Sequence, residues 1–250
     1  MKKEDQFWLC LLLIGIFLVL ATSCSKDDYN PTNGKTTAVF NPDKTYGSLT
    51  DQDGNVYKTI KIGTQTWMAE NLRTTKYRNG EVITEVSDVI VWFNLSSGAY
   101  CNYNNTKSLD TIATFGRLYN WYAVTDVRNI APAGWHIPTY NEWIVLETYL
   151  VDSIAANKLK ESGTLHWKAP NFGATNETGF TALGGGYLQG YGNKFAYLHM
   201  GIEGGWWTVT QDDGDLDNAY HVTIGYDYSL LGGCNCPKLS GYSIRCLKDN

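Results

Sequence analysis

The stretch that decides the fold reads Gly134-Trp-His-Ile-Pro-Thr-Tyr-Asn-Glu-Trp-Ile-Val-Leu-Glu-Thr-Tyr-Leu150. Pro138 ends the extended segment before it, Thr139 can cap the first free backbone amides, and Glu142 can reach back to the amide of residue 139. Apolar residues then recur at helical spacing, namely Trp143, Leu146 and Leu150. The stretch therefore predicts a helix that begins near Thr139 and buries one face in a core.

Strands are predicted on both sides of this helix. Residues 56–62 alternate between apolar and polar side chains, and we expect residues 65–72 to return as the second arm of a hairpin. Further short strands are predicted before the helix at residues 81–86, 89–93 and 98–105. The strands predicted after it are residues 179–183, 184–187, 205–210, 219–224 and 241–247.

Two shorter helices are predicted as well, within residues 116–124, from the helical spacing of Leu118 and Trp121, and over residues 155–161. The order of strands, then helices, then strands again is typical of the α+β class with an antiparallel sheet. We therefore expect an α+β fold with a twisted antiparallel sheet.

The composition is that of a globular chain. Of 250 residues, 43% are hydrophobic and 18% are charged, and 9 Trp and 17 Tyr can build a core of large rings. The formal net charge is −5. Because phosphate binding needs clustered Lys and Arg, which the chain lacks, the charge pattern argues against a nucleic-acid partner.

Residues 1–23 are predicted to be a lipoprotein signal peptide. Two lysines precede an apolar run from Phe7 to Ala21, which is shorter than the about 20 residues of a membrane span. The small residues before Cys24 resemble a bacterial lipobox, so we expect Cys24 to be acylated, with palmitate, and to anchor the protein in the membrane. An ordinary signal peptide and an uncleaved anchor are the alternatives.

Residues 24–45 are interpreted as a flexible tether because they are rich in polar residues, Pro and Gly. Ser25-Lys-Asp-Asp28 resembles the surface-export signal of Bacteroidetes lipoproteins, and a solvated charge run explains it equally well. We expect a single domain over residues 46–250, on a protein that is lipid-anchored at the outer membrane and exposed on the cell surface.

Asp51, Asp53 and Asn55 have the spacing of the first ligands of a calcium loop. Gly54 stands at the fourth position instead of the sixth, however, and Ile62 occupies the twelfth, where a Glu would be needed. The sequence therefore favours a turn over a metal site here.

Several motifs in a fixed order resemble one known family. They are Asp53-Gly-Asn-Val-Tyr57, Ile62-Gly-Thr-Gln-Thr-Trp-Met-Ala-Glu-Asn-Leu72, Gly116-Arg-Leu-Tyr-Asn-Trp121, Gly134-Trp-His-Ile-Pro-Thr139 with Glu142-Trp143, Lys158-Leu-Lys160, Gly179-Phe180 and Ile244-Arg-Cys246. Together they resemble the Fibrobacter succinogenes major paralogous domain over about residues 48–249. The resemblance implies a C-type-lectin-like fold, distantly similar to the formylglycine-generating enzyme, with the two chain ends close together. It implies no agreed activity.

Four cysteines remain after Cys10 and Cys24, and they allow three pairings. Because Cys101 and Cys246 lie within or near the family-like motifs, the resemblance favours a disulfide between them. Cys234 and Cys236 suggest a redox role as an alternative, although the two thiols of the formylglycine-generating enzyme have a different spacing.

The remaining candidate sites concern sugars and metals. In a strand, Trp206 and Trp207 present one ring to each face, which makes Trp207 a candidate platform for sugar stacking. Asp213, Asp215 and Asp217 alternate as calcium ligands sometimes do, but a solvated hairpin tip is the favoured interpretation. The four histidines lack the spacing of a zinc site, and His136 keeps an open role.

We therefore predict a noncatalytic, lectin-like surface domain that needs no cofactor. It is expected to bind a carbohydrate or a protein, or to serve in surface assembly and adhesion, with the membrane as a partner through its lipid. An oxidative enzyme that uses Cys234 and Cys236 is the alternative from another class. A calcium-dependent adhesin that uses Asp213 and Asp215 is a third hypothesis.

Overall fold

Strands and short helices alternate along residues 34–191 and 194–249, the part of the chain that the computed structural model describes. The strands are β1 (Gly47–Thr50), β2 (Val56–Ile62), β3 (Gln65–Met68), β4 (Thr84–Glu85), β5 (Ala99–Cys101), β6 (Leu118–Tyr119), β7 (Trp135–His136), β8 (Gly185–Tyr191), β9 (Lys194–Met200), β10 (Glu203–Gln211), β11 (Asn218–Gly225), β12 (Gly232–Pro237) and β13 (Leu247–Lys248). The helices are α1 (Val89–Trp92), α2 (Leu109–Phe115), α3 (Trp121–Val124), α4 (Tyr140–Tyr149) and α5 (Ala155–Leu159). The predicted signal peptide and Cys24 lie outside the described residues.

The strands form three sheets. The first has the order β1-β2-β3-β13-β7, the second β12-β11-β10-β8-β9, and a small third sheet β4-β5-β6. Pairing is antiparallel except between β4 and β5 and at one contact between β8 and β10. The prediction of an α+β fold with antiparallel sheets is therefore confirmed.

Helix α4 begins where the sequence predicts. The Thr139 side chain accepts a hydrogen bond from the Glu142 amide, and the Glu142 carboxylate accepts one from the Thr139 amide, which completes the capping box. Trp143, Leu146 and Leu150 are buried. The Trp143 ring lies 4.7 Å from that of Trp67 in β3 and 6.0 Å from that of Trp206 in β10, so α4 joins the first sheet to the second.

Strand β10, in the middle of the second sheet, is covered on both faces. Trp206 packs with Trp143 in one core cluster, and Trp207 packs with Tyr242 in the other. The two rings therefore point to opposite sides of β10, as the sequence predicts, but both are fully buried (0% exposed).

Several local predictions are wrong. Residues 89–92 form helix α1 rather than a strand, because the Asp88 carboxylate accepts hydrogen bonds from the amides of Ile90 and Val91 and caps a helical turn. Residues 116–120 hold strand β6, so only Trp121–Val124 is helical there. Residues 179–183 and 241–246 pair through isolated bridges instead of continuous strands.

Residues 34–41 pack along the domain, and we call them the N-terminal strap. The amide of Lys35 donates to Asp110 (2.7 Å), and the amide of Val39 donates to Glu161 (2.6 Å). The Asn41 side chain donates to the carbonyl of Asn176 (2.9 Å). The prediction of a flexible tether is therefore wrong for this part of residues 24–45.

None of the helices within residues 34–191 and 194–249 has the length and hydrophobicity that a membrane span requires.

Candidate functional site

A cleft of about 140 Å³ lies between the turn that joins β1 to β2, the segment after β3, and helix α2. Its walls combine hydrogen-bonding side chains with two apolar ones. We call it the arginine cleft, and its lining residues are Asp53, Asn55, Arg73, Thr75, Leu109, Ile112 and Arg117.

The turn at one wall is held by Asp51. Its carboxylate accepts hydrogen bonds from the amides of Asp53 and Asn55 (both 2.9 Å) and from the Tyr57 hydroxyl (2.6 Å). This is the geometry of an Asx turn, which a short carboxylate side chain stabilises locally. The turn predicted for residues 51–55 is confirmed, and the oxygens of Asp51 are already used by protein donors.

Asp53 is likewise engaged by the protein. One carboxylate oxygen accepts hydrogen bonds from the Thr75 amide and hydroxyl and from the Thr74 hydroxyl, and the other lies 3.1 Å from Lys76 Nζ. Burial raises the pKa of Asp53, but these hydrogen bonds together lower it by more, so its pKa lies below the ordinary value. Asp53 therefore stays ionised, and its charge is balanced by Lys76.

Arg73 is one of two arginines in the lining of the cleft. Its side chain is 8% exposed, its guanidinium lies 4.5 Å above the Tyr57 ring, and its Nη2 donates to the carbonyl of Val56 (3.1 Å). The atoms Nε and Nη1 are buried and have no hydrogen-bond acceptor among the described residues. A buried cationic group with two unused donors is costly, and it lies beside a largely polar cleft that is the candidate ligand site.

Arg117 enters the cleft from the end of α2. Its Nε donates to the carbonyl of Arg73 (2.9 Å), and its Nη1 donates to Asn102. The helix can end this close to residues 71–72 because Gly116 has a φ of +75° and any Cβ there would lie 2.6 Å from the Cβ of Asn71. Gly116 thus sets the position of Arg117.

Two larger depressions, of about 560 and 490 Å³, lie elsewhere on the domain. The first includes His166, whose Nδ1 is 2.8 Å from Glu161 and whose Nε2 is 2.9 Å from Thr37 of the strap. Neither depression is lined by a buried polar atom that lacks a partner among the described residues. The arginine cleft is therefore the stronger candidate.

Trp207 is not a surface platform. Its ring is 0% exposed, packs edge-on against Tyr242 at 5.0 Å between centroids, and donates from Nε1 to the carbonyl of Tyr119 (2.8 Å). The prediction of a sugar-stacking role for Trp207 is wrong because loops and helix α3 cover this face of the sheet, and Trp121 of that helix belongs to the same cluster.

The acidic loop after β10 is exposed, as a hairpin tip would be. Asp213, Asp215 and Asp217 are solvent-exposed, and Asp215 accepts hydrogen bonds from the Asp217 amide (3.1 Å) and the Asn218 side chain (2.8 Å). Within the described residues, no group of three or more His, Cys, Asp or Glu side chains has metal-binding geometry. A ligand role for this loop stays a prediction.

The predicted disulfide is not present, because Cys101 and Cys246 are both free thiols. They are buried in different core clusters, Cys101 with Trp92 and Cys246 with Met68. Burial raises the pKa of Cys101 to about 12 and raises that of Cys246 further. The two residues are therefore apolar core members rather than a covalent link.

Cys234 and Cys236 lack the features of reactive thiols. Cys234 is exposed and lies 3.5 Å from Nε2 of His221, while Cys236 is buried. Burial raises the pKa of both thiols, that of Cys236 to about 12, and lowers the pKa of His221 to about 4, so the imidazole is neutral. Because a reactive cysteine needs a lowered pKa, this environment does not favour the oxidative-enzyme alternative.

His136 connects the end of the chain to α4. Its Nδ1 lies 2.7 Å from the carboxylate of Asp249, and its Nε2 lies 2.9 Å from that of Glu142, the capping-box residue. Burial lowers the pKa of His136, but the bonds to Asp249 and Glu142 raise it more, so the net shift is upward. The open role of His136 is explained by this structural clamp.

We expect His136→Asn to reduce the free energy of unfolding most at about pH 5 to 6.5, where the imidazole is protonated and both carboxylates are ionised. A raised folded-state pKa stabilises the fold fully below the unfolded-state value of about 6.5, and this contribution disappears as the pH rises through the folded-state pKa. Urea unfolding of both proteins across this range measures the difference. A difference that grows toward alkaline pH would contradict the clamp.

The sequence did not identify Arg73 and Arg117 as site residues. Asp53 and Asn55 belong to the first family-like motif, Arg117 to the third, and Arg73 directly follows the second. The signal for this cleft is that three family-like motifs meet there. Their meeting becomes visible only in the folded structure.

The fold is that of a mixed α+β domain, and its candidate site is a small, largely polar cleft lined by two arginines. The model of the Fibrobacter succinogenes major domain family matches residues 60–248, and the chain belongs to that family. A search of curated proteins gave no match, and neither did a search of solved structures.

Proposed function

We propose that this chain is a lipid-anchored protein of the outer-membrane surface whose domain binds a carbohydrate in the arginine cleft without changing it chemically. The observation that carries this proposal is the lining of the cleft, where polar side chains face the apolar pair Leu109 and Ile112. A sugar ring offers hydroxyl groups and apolar C–H faces together, and such a mixed, preformed lining suits it.

The proposal includes a C-type-lectin-like arrangement of the α+β fold, distantly similar to that of the formylglycine-generating enzyme. Its support is the first sheet, in which β1 and β2 near the start of the domain lie in one sheet with β13 at its end. The two ends of the domain therefore meet in one sheet, as the family resemblance implies.

The anchoring and the location rest on the sequence. The apolar run before Cys24 and the charged residues after it support export, lipidation and display at the surface. The acidic net charge of −5 gives no support for a nucleic-acid partner.

We expect the full-length chain in detergent to bind a subset of glycans on a panel and to lose that binding on the change Leu109→Trp. Leu109 is 42% exposed at the cleft wall, so an indole ring can fill the cleft without disturbing the core. Val145→Trp, at a 51% exposed position of α4, is the matched control and should bind like the parent. An empty panel, or binding that Leu109→Trp leaves intact, would reject carbohydrate binding in this cleft.

A further inference from the structure

Three side chains connect the N-terminal strap to the interior of the domain. Thr37, in the strap, is solvent-exposed, and its Oγ1 lies 2.9 Å from Nε2 of His166. Nδ1 of His166 lies 2.8 Å from the carboxylate of Glu161, whose side chain is 0% exposed. A hydroxyl, an imidazole and a carboxylate thus follow one another in the order that activates a hydroxyl as a nucleophile.

The directions of these hydrogen bonds follow from the chemistry of the partners. A carboxylate only accepts, so Nδ1 of His166 carries the hydrogen in its bond to Glu161, and Nε2 of the neutral ring is the acceptor for the Thr37 hydroxyl. The Glu161 carboxylate also accepts from the Val39 amide (2.6 Å), which holds it in place. The imidazole is therefore oriented as a general base for Thr37.

Helix α2 holds the Thr37 hydroxyl in position. The Thr114 hydroxyl donates to the carbonyl of Asp110 (2.7 Å) and accepts from the Thr37 amide (3.0 Å). It also lies 3.1 Å from Thr37 Oγ1, so the hydrogen of the Thr37 hydroxyl has two acceptors, of which His166 is the closer. The nucleophile and its base are thus fixed relative to each other before a substrate binds.

His166 also lines the depression of about 560 Å³, a volume that accommodates a small organic ligand. Most of the other lining residues are apolar, namely Phe115, Leu165, Trp167, Met200 and Ile202. Lys168 adds a positive charge, which favours the anion that forms when an ester carbonyl is attacked. The lining shares no residue with that of the arginine cleft, so this is a second site.

We propose that Thr37 and His166, oriented by Glu161, hydrolyse carboxylic esters that have an apolar acyl group. The Thr37 oxygen attacks the acyl carbon while Nε2 of His166 takes the hydroxyl proton, and the ester C–O bond breaks as that proton passes to the leaving alcohol. Water then attacks the acyl-threonine, its proton passes through His166 to the Thr37 oxygen, and the carboxylic acid leaves. Glu161 is a positioning residue, because it acts through the imidazole.

The experiment uses the full-length chain in detergent, with p-nitrophenyl butyrate as the substrate and a fluorophosphonate as a covalent probe. Thr37→Val keeps the shape of the side chain but removes the nucleophile, so hydrolysis should fall by roughly 100-fold or more and the probe should no longer attach. Thr37→Ser keeps a hydroxyl and should retain both. Thr111→Val is the matched control, on α2 but in the lining of neither site, and should behave like the parent.

The base and the positioning residue are tested by their kinetics. His166→Gln should lower kcat roughly 100- to 10,000-fold. Glu161→Gln should also lower kcat, but KM should change little because Glu161 does not touch the ester. Thermal unfolding of each variant shows whether the domain is still folded.

Mass spectrometry of the labelled chain decides the outcome. Probe attached to Thr37, with attachment lost in His166→Gln, would support the site, and the parent and Thr37→Ser give this result even if Thr37→Val does not fold. Probe on another residue, or hydrolysis that Thr37→Val leaves intact, would overturn the proposal. So would the absence of both hydrolysis and labelling, which would leave these contacts as a fastening of the strap. None of these results depends on glycan binding in the arginine cleft.

Discussion

Arg245→Ala is expected to lower the free energy of unfolding by about 4 kcal/mol. Arg245 is 1% exposed, and its guanidinium donates to Asn71 Oδ1 (2.8 Å), to the carbonyl of Thr181 (2.8 Å) and to that of Phe180. It also stacks 4.2 Å above the Phe180 ring. Removing it leaves buried carbonyl oxygens without donors and opens a cavity beside the aromatic core.

Urea unfolding measures this loss of stability. The variant Arg245→Lys separates the contribution of the positive charge from that of the three hydrogen bonds. Lysine keeps the charge but cannot reach all three acceptors, so we expect a loss of about 2 kcal/mol. Arg128→Ala is the comparison nearer the surface, where the ion pairs with Asp126 and Glu81 are partly exposed to solvent and should stabilise the fold less than the buried hydrogen bonds of Arg245. If Arg245→Ala were as stable as Arg128→Ala, the hydrogen bonds of Arg245 would not support the fold.

Trp143→Ala is expected to lower the free energy of unfolding by about 4 kcal/mol as well. The indole of Trp143 is 1% exposed and contacts the rings of Trp67, Phe180 and Trp206, with centroids between 4.7 and 6.0 Å away. Because these rings come from both main sheets and the loop between them, an alanine would leave a cavity where the sheets and α4 meet.

Trp143→Phe should cost much less, about 1.5 kcal/mol. The indole nitrogen of Trp143 is buried and has no acceptor among the described residues, so phenylalanine removes volume but no hydrogen bond. Val145→Ala, at an exposed position of the same helix, should change stability by less than about 0.5 kcal/mol. A loss in Trp143→Phe equal to that in Trp143→Ala would mean that the indole nitrogen has a partner after all.

The sequence predicted best where neighbouring residues decide the structure. The start of α4 depends on Thr139 and Glu142, three positions apart, and the turn at Asp51 depends on residues within the same turn. Both were predicted correctly because capping and turn chemistry are local. The strand pair β2–β3 was predicted for the same reason, since its turn and alternation are visible in a short window.

Prediction failed in two ways, where a local cap was overlooked and where a distant residue competes with local preference. Residues 89–92, Val-Ile-Val-Trp, favour a strand by composition, but one hydrogen-bonding carboxylate at Asp88 was enough to begin a helix. Residues 179–183 alternate like a strand, but the carbonyls of Phe180 and Thr181 turn toward Arg245, more than 60 positions later in the chain.

The candidate site shows the same limit. Arg117 donates to the carbonyl of Arg73 across 44 positions of sequence, and no periodicity or motif spacing relates the two. Trp207 was chosen because successive residues of a strand point to opposite faces, but β10 is covered on both faces. Whether a face is covered depends on the whole chain and cannot be read from one strand.

The N-terminal strap ties the start of the described chain to the helix that lines the arginine cleft. Ten positions separate Cys24, the proposed lipid anchor, from Gly34, the first described residue, and an extended chain of that length spans at most about 35 Å. Leu109 of the arginine cleft adjoins Asp110, which holds the strap. Under the proposed surface anchoring, ligands on the same cell would be sampled at an effective concentration of order millimolar, so many contacts of modest affinity could together hold them.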